Sequence, residues 1–192
     1  MGGMVMKGLG TQRIETKRLI LRRFTMDDVQ PMYHNWASDP EVTRYLTWSA
    51  HSSPQVTEAV LRDWTQNYGR NDFYQWAIIF KENGEEPIGS ISVVSQDAKT
   101  DKAHIGYCIG KKWWHKGIMS EALEAVIAFL FDKVGAQRIE SRHDPRNPNS
   151  GAVMRKCGMQ FEGTLRASDW NNQGVCDASW YGIVSTDRQE NE

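Results

Sequence analysis

Long apolar runs, paired cysteines and charge excess are all missing from this chain of 192 residues. No stretch is long enough to read as a membrane span. Residues 1–10 lack the apolar core of a secretion signal, and Met6 stands where a myristoylation pattern needs Ser or Thr. The 3 cysteines, Cys108, Cys157 and Cys176, are odd in number and scattered. Neither a disulfide framework nor a metal-ligand spacing fits them, so three reduced thiols in a cytoplasmic protein are expected, with no metal. A net charge of −1 leaves no basic excess to displace counterions, which argues against a nucleic-acid or membrane-surface binder. Repeats and low-complexity runs are absent too. Two named phosphate loops can be excluded: Gly106 and Gly110 are separated by 3 residues where the Walker pattern has four, and no G-x-G-x-x-G occurs.

What is present is a concentrated local signal. The segment Ala103-His104-Ile105-Gly106-Tyr107-Cys108-Ile109 reads as a strand, and residues from about Gly117 to Lys133 read as a long helix. Ile118, Ala122, Ala125, Val126, Phe129 and Leu130 give that helix one apolar stripe. Between strand and helix, Lys111, Lys112, His115 and Lys116 form a basic patch that ends in Gly117. A helix start offers unpaired N–H groups and partial positive charge, and glycine lets an anion approach the main chain closely. A phosphate-bearing ligand is the first expectation; an ordinary turn with solvated lysines is its rival.

The rest of the chain reads as a single domain over residues 11–186, with tails at 1–10 and 187–192. Strands are expected at about 18–24, 73–81, 86–95, 102–109, 138–142, 159–169 and 175–185. Helices are expected at 27–37, from Pro40, from Pro54 to about 68, and at about 148–157. The turn Glu82-Asn83-Gly84-Glu85 joins the strands at 73–81 and 86–95, and its Asn-Gly is a hairpin signal. The order gives an α+β fold with a central mixed, largely antiparallel sheet flanked by helices.

A second segment sharpens the functional reading: Asn147-Pro148-Asn149-Ser150, then Lys156-Cys157-Gly158-Met159-Gln160-Phe161-Glu162-Gly163. With the loop at 113–122 it resembles the GNAT superfamily of acetyl-CoA-dependent N-acetyltransferases. Thr16-Lys17-Arg18-Leu19-Ile20-Leu21-Arg22, Asp39-Pro40-Glu41-Val42-Thr43-Arg44-Tyr45 and Ile105-Gly106-Tyr107 add a resemblance to the branch acetylating ribosomal-protein N-termini. The likeness runs from about residue 12 to residue 184. Four positions depart from the usual pattern. Trp114 replaces Gln or Arg, Met119 replaces Gly or Ala, Met159 replaces Phe, and His104 stands where this branch often has Glu.

The resemblance implies a cofactor, acetyl-CoA, and a set of residues to hold it. Main-chain groups of Trp114, His115, Lys116, Gly117, Ile118, Met119 and Ser120 would take the pyrophosphate. Tyr107, Cys108 and Ile109 would pair with the pantetheine arm in a gap that opens towards Ile139, and an N–H there would face the developing oxyanion. Asn147 would bond the acyl end, and Ser150 would give a proton to the departing thiolate; both are also ordinary helix caps. Asp169 and His104 are the two candidates for general base. Arg44, Tyr45, Trp48 and Asp169 would line the acceptor cleft.

The amine itself sets a magnitude. Deprotonating a terminal α-amine of pKa ~8 at neutral pH costs about 1–1.5 kcal/mol, against about 4.5 kcal/mol for a lysine near ~10.4. A weakly based site therefore suits a protein or peptide N-terminus. A small-molecule amine is the alternative acceptor, and a non-catalytic coenzyme A-binding module is the alternative from another class. The protein would act as monomer or homodimer.

Overall fold

The computed structural model describes residues 6–191. Eight strands form one sheet in the order β1-β2-β3-β4-β5-β6-β8-β7, from β1 (Ile14–Glu15), β2 (Leu19–Arg22), β3 (Gln75–Phe80), β4 (Pro87–Asp97), β5 (Lys102–Ile109), β6 (Arg138–His143), β7 (Gln160–Asn171) and β8 (Gly174–Val184). Every neighbouring pair is antiparallel except β5 and β6. Parallel neighbours need a crossover, and the helix α4 (Ile118–Phe129) supplies it.

β3 shows how the layers are built. Trp76 and Ile78 face one apolar cluster, Ala77 and Ile79 the other, and all four are buried. A strand covered on both faces reads as a continuous apolar run rather than an alternation. On one face lie α1 (Val29–Met32) and α3 (Pro54–Asn67), with Met32, Trp36 and Leu61 in the core. On the other lie α4 and α5 (Pro148–Lys156), contributing Ile118, Ala122, Val126 and Met154. The helix expected over 27–37 is broken into a tight turn at Met26–Asp28, α1, and a wider turn at Tyr33–Ala37. Pro31 lacks the N–H that an unbroken helix would use. The short helix α2 (Pro40–Thr43) is capped by Asp39, whose side chain accepts from the Glu41 N–H at 2.8 Å.

Of the expected tails, residues 1–5 and 192 lie outside the described residues. Residues 6–10 are tied down rather than loose. Lys7 N–H donates to the Val134 carbonyl at 2.7 Å, Leu9 N–H to the Tyr74 hydroxyl at 3.1 Å, and Gly10 N–H to the Asn71 carbonyl at 2.8 Å. At the other end, Arg188 donates to Asp132 at 2.7 Å.

One irregularity positions the site. β5 and β6 pair only at Lys102–Arg138, Ala103–Ile139 and His104–Glu140. Beyond this the strands part, with Ser141 Oγ still reaching the Ile105 carbonyl at 2.8 Å. The sheet thus contains a wedge, open at the C-terminal ends of the two strands.

Candidate active site

The wedge opens into a cleft of about 600 Å³. One wall is the loop from Gly110 to Gly117. A Cβ on Gly110 would collide with the Asn35 carbonyl and the Trp113 ring, so only glycine fits there. Trp113 is buried, and Trp114 Nε1 donates to the Ile109 carbonyl at 2.9 Å, so the two rings fasten the loop to the sheet. His115 and Gly117 both have positive φ, 59° and 70°, which turns the chain sharply before α4. Gly117 is the N-cap of α4, and no side chain caps that helix start. The uncapped N–H groups face an open glycine position, and a Cβ there would lie 3.6 Å from Arg18 Nη2 and 3.6 Å from Lys156 Nζ. Unpaired donors, helix polarity and two cations converge on one point, which fits a pyrophosphate.

Across the wedge, β5 presents Tyr107, Cys108 and Ile109, and the start of α5 presents Asn147 and Ser150. Ser150 Oγ donates to the Tyr107 hydroxyl at 3.2 Å, and that hydroxyl donates to the Ser150 carbonyl at 2.9 Å. Burial holds the Tyr107 phenol well above its ordinary range, so it stays neutral. Burial likewise pushes the Cys108 thiol up to about 11 and the Cys157 thiol up to about 12, which leaves neither as a nucleophile at neutral pH.

The far end of the cleft is lined by Glu41, Arg44, Tyr45 and Arg146. Glu41 is paired with Lys111 at 2.5 Å, and the Arg44 guanidinium lies 5.6 Å from the Tyr45 ring centroid. The β7–β8 turn buttresses this segment. Asn172 Nδ2 donates to the carbonyls of Thr43 and Trp48, each at 2.8 Å, and Ser49 Oγ donates to Asn172 Oδ1 at 3.1 Å. Two residues expected here stand elsewhere. Trp48 packs beside His51, at 5.2 Å between rings, and against the second apolar cluster. Asp169 is absent from the lining.

Asp169 and His104 meet each other instead, through Arg142. Arg142 Nε donates to Asp169 Oδ2 at 2.5 Å, and its Nη1 faces His104 Nε2 at 3.2 Å. The Nδ1 side of His104 faces Glu140 Oε1 at 3.6 Å. Desolvation and the Arg142 charge hold the His104 pKa down at about 4, so the imidazole is neutral with Nε2 accepting. The Arg142 pairing holds the Asp169 carboxyl below its usual range, and it is a weak base for the same reason. Both belong to an ion-pair network in the sheet and stand outside the residues that line the cleft. Their spacing in sequence carries no sign of Arg142.

Sequence reasoning also left out residues that line the cleft. Arg146 directly precedes Asn147, and Lys156 sits in a motif quoted for the resemblance; a cation flanking each end of α5 was the available signal. Among the described residues no group of His, Cys, Asp and Glu is placed to hold a metal ion, and no helix is long and apolar enough to cross a membrane.

Comparison with known proteins agrees with this geometry. The acetyltransferase (GNAT) domain profile matches residues 18–160. An uncharacterised N-acetyltransferase, p20 of Bacillus licheniformis, is 31% identical over 177 residues, covering 90% of this chain and 96% of that protein. The [ribosomal protein uS5]-alanine N-acetyltransferase of Escherichia coli K12 is 38% identical over 83 residues, 43% of this chain and 40% of that protein. The microcin C7 self-immunity acetyltransferase, solved with acetyl-CoA and AMP, shares the fold at a TM-score of 0.78 and 19% identity, covering 88% of this chain and 93% of that one. The chain belongs to the GNAT family and is an acetyl-CoA-dependent N-acetyltransferase.

Proposed function

We propose that the acceptor is the N-terminal α-amine of a protein or peptide, acetylated in the cytoplasm by direct attack on the thioester. One observation carries this reading. The only carboxylate among the described lining residues, Glu41, is already paired with Lys111. A cleft without a free carboxylate base suits an amine that loses its proton to solvent cheaply, and an α-amine does so at about a third of the cost of a lysine. The likeness to a ribosomal-protein alanine acetyltransferase supports the same acceptor class.

Acetyl-CoA supplies the acetyl group already activated as a thioester. The residues of this chain bind and orient it. The loop Trp114–Ser120 holds the pyrophosphate through main-chain N–H groups, and the unpaired edge of β5 at 107–109 takes the pantetheine arm. An N–H on that edge stabilises negative charge as the acetyl carbonyl is attacked. Asn147 bonds the acyl end. Ser150 holds a transferable proton on Oγ, and the Tyr107 hydroxyl fixes that rotor at the centre of the cleft.

The test is a panel of amines followed by thiol release from acetyl-CoA. Peptides with a free α-amine should be acetylated, and the same peptides blocked at the N-terminus but carrying lysine should not. Turnover confined to polyamines, amino acids or other small amines would replace the peptide reading with the small-molecule one.

A further inference from the structure

Thr16-Lys17-Arg18 belongs to the segments that carry the family likeness, and Arg18 is one of the two cations beside Gly117. Arg18 stands just before β2 and reaches across to α4. Its Nε donates to Glu121 Oε2 at 2.6 Å and its main-chain N–H to Oε1 at 2.9 Å; Thr16 Oγ1 donates to Oε1 at 2.6 Å. Arg18 Nη1 donates to the Lys116 carbonyl at 3.0 Å. Its remaining nitrogen, Nη2, is the one beside Gly117, with Lys156 Nζ from the last turn of α5.

Glu121 creates an electrostatic conflict. A carboxylate in the first turn complements the positive end of its helix, and so competes with any anionic ligand for the same field. Arg18 removes the conflict by pairing with it. Counting Arg18, Glu121 and Lys156, the net charge around Gly117 is +1. Without Arg18 it falls to zero, and without both Arg18 and Glu121 it returns to +1.

We infer that Arg18 is a charge-balancing and positioning residue of the cofactor site: it neutralises Glu121, fixes the Lys116–Gly117 peptide, and with Lys156 brackets the coenzyme A pyrophosphate. The inference rests on the pyrophosphate lying at Gly117, as proposed above.

Calorimetric titration with coenzyme A and with its 3′-dephospho form tests it on the full chain. Arg18→Ala should weaken both ligands on the order of 10- to 100-fold, the range of a lost bond to a charged group. The deficit should shrink at high salt. Arg18→Ala combined with Glu121→Gln should recover about tenfold over Arg18→Ala alone, which a purely structural Arg18 would not allow. Lys156→Ala, at an exposed side chain, should also weaken both ligands and serves if Arg18→Ala fails to fold. A double variant that binds no better than Arg18→Ala overturns the charge-balancing role. Normal affinity in folded Lys156→Ala, or a loss confined to the ligand with a 3′-phosphate, overturns the bracket. Tight binding by Gly117→Glu instead overturns the placement beneath it.

Discussion

Ser150 and Tyr107 hold each other across the wedge, the serine hydroxyl donating to the phenol at 3.2 Å and the phenol donating to the serine carbonyl at 2.9 Å. One residue sits on β5 and the other in the first turn of α5, so the pair spans the gap left where the strand ladder ends. The phenol is neutral at any physiological pH, and its contribution is orientation rather than charge.

Replacing Ser150 by Ala should therefore lower kcat by about 10²–10⁴-fold while leaving the KM for acetyl-CoA within a few-fold. Steady-state kinetics at saturating acceptor checks this. A variant that turns over normally and only melts earlier would reduce Ser150 to a structural partner of Tyr107.

Gly117→Glu should abolish coenzyme A binding. The new side chain strains a backbone at φ 70° and places a negative charge where two cations now converge. Titration of the folded variant with coenzyme A gives the answer directly.

Asn172→Ala should raise the acceptor KM on the order of tenfold and leave that of acetyl-CoA unchanged, because it removes the three side-chain bonds to residues 43–49 and leaves only the main-chain bond from Asn172 to the Leu46 carbonyl. Equal rises for both substrates would contradict a role confined to the acceptor segment.

The ion-pair network predicts a pH dependence of stability. His104 titrates at about 4 in the folded protein and near ~6.5 unfolded, so between these values the unfolded chain binds more protons. Stability should be fully present above ~6.5 and fall as pH drops towards 4, by up to about 3 kcal/mol from this group. Asp169, whose carboxyl is also held low, adds further loss only as pH falls through and below the ordinary carboxylate value of ~3.9. Denaturant unfolding from pH 7 to 4 should show a shallower decline for His104→Gln. The variant's turnover between pH 7 and 9 should match wild type, whereas a catalytic base at His104 requires a large loss of turnover across that range.

Local pattern made the frame readable. The Asn83-Gly84 turn, Pro54 at the head of α3 and the run from β5 through Gly110 into α4 each announce themselves within a few residues. Most of the cleft lining from Tyr107 to Ser120 and from Arg146 to Lys156 likewise comes from two nearly contiguous segments. What escaped was settled between distant segments. Arg142 claims Asp169 from 27 residues away, and Trp48 turns to His51 and the apolar layer instead of the cleft. β1, with 2 residues, is too short to leave a periodic trace. A side chain's neighbours across the sheet depend on strand order, and no spacing in the chain records that order.

The early end of the β5–β6 ladder gives the sheet an open edge in its own interior. Edges ordinarily invite foreign strands, and proteins shield them. Here the start of α4 and the start of α5 flank the exposed groups, and the proposed pantetheine arm, an extended chain of amides, would enter between them. Deuterium exchange makes the consequence visible. The amides in 106–109 that face β6 should exchange faster than those at 102–104 in the free protein, and should become protected when coenzyme A is added. On the proposed binding mode the ligand would take the place of the missing strand.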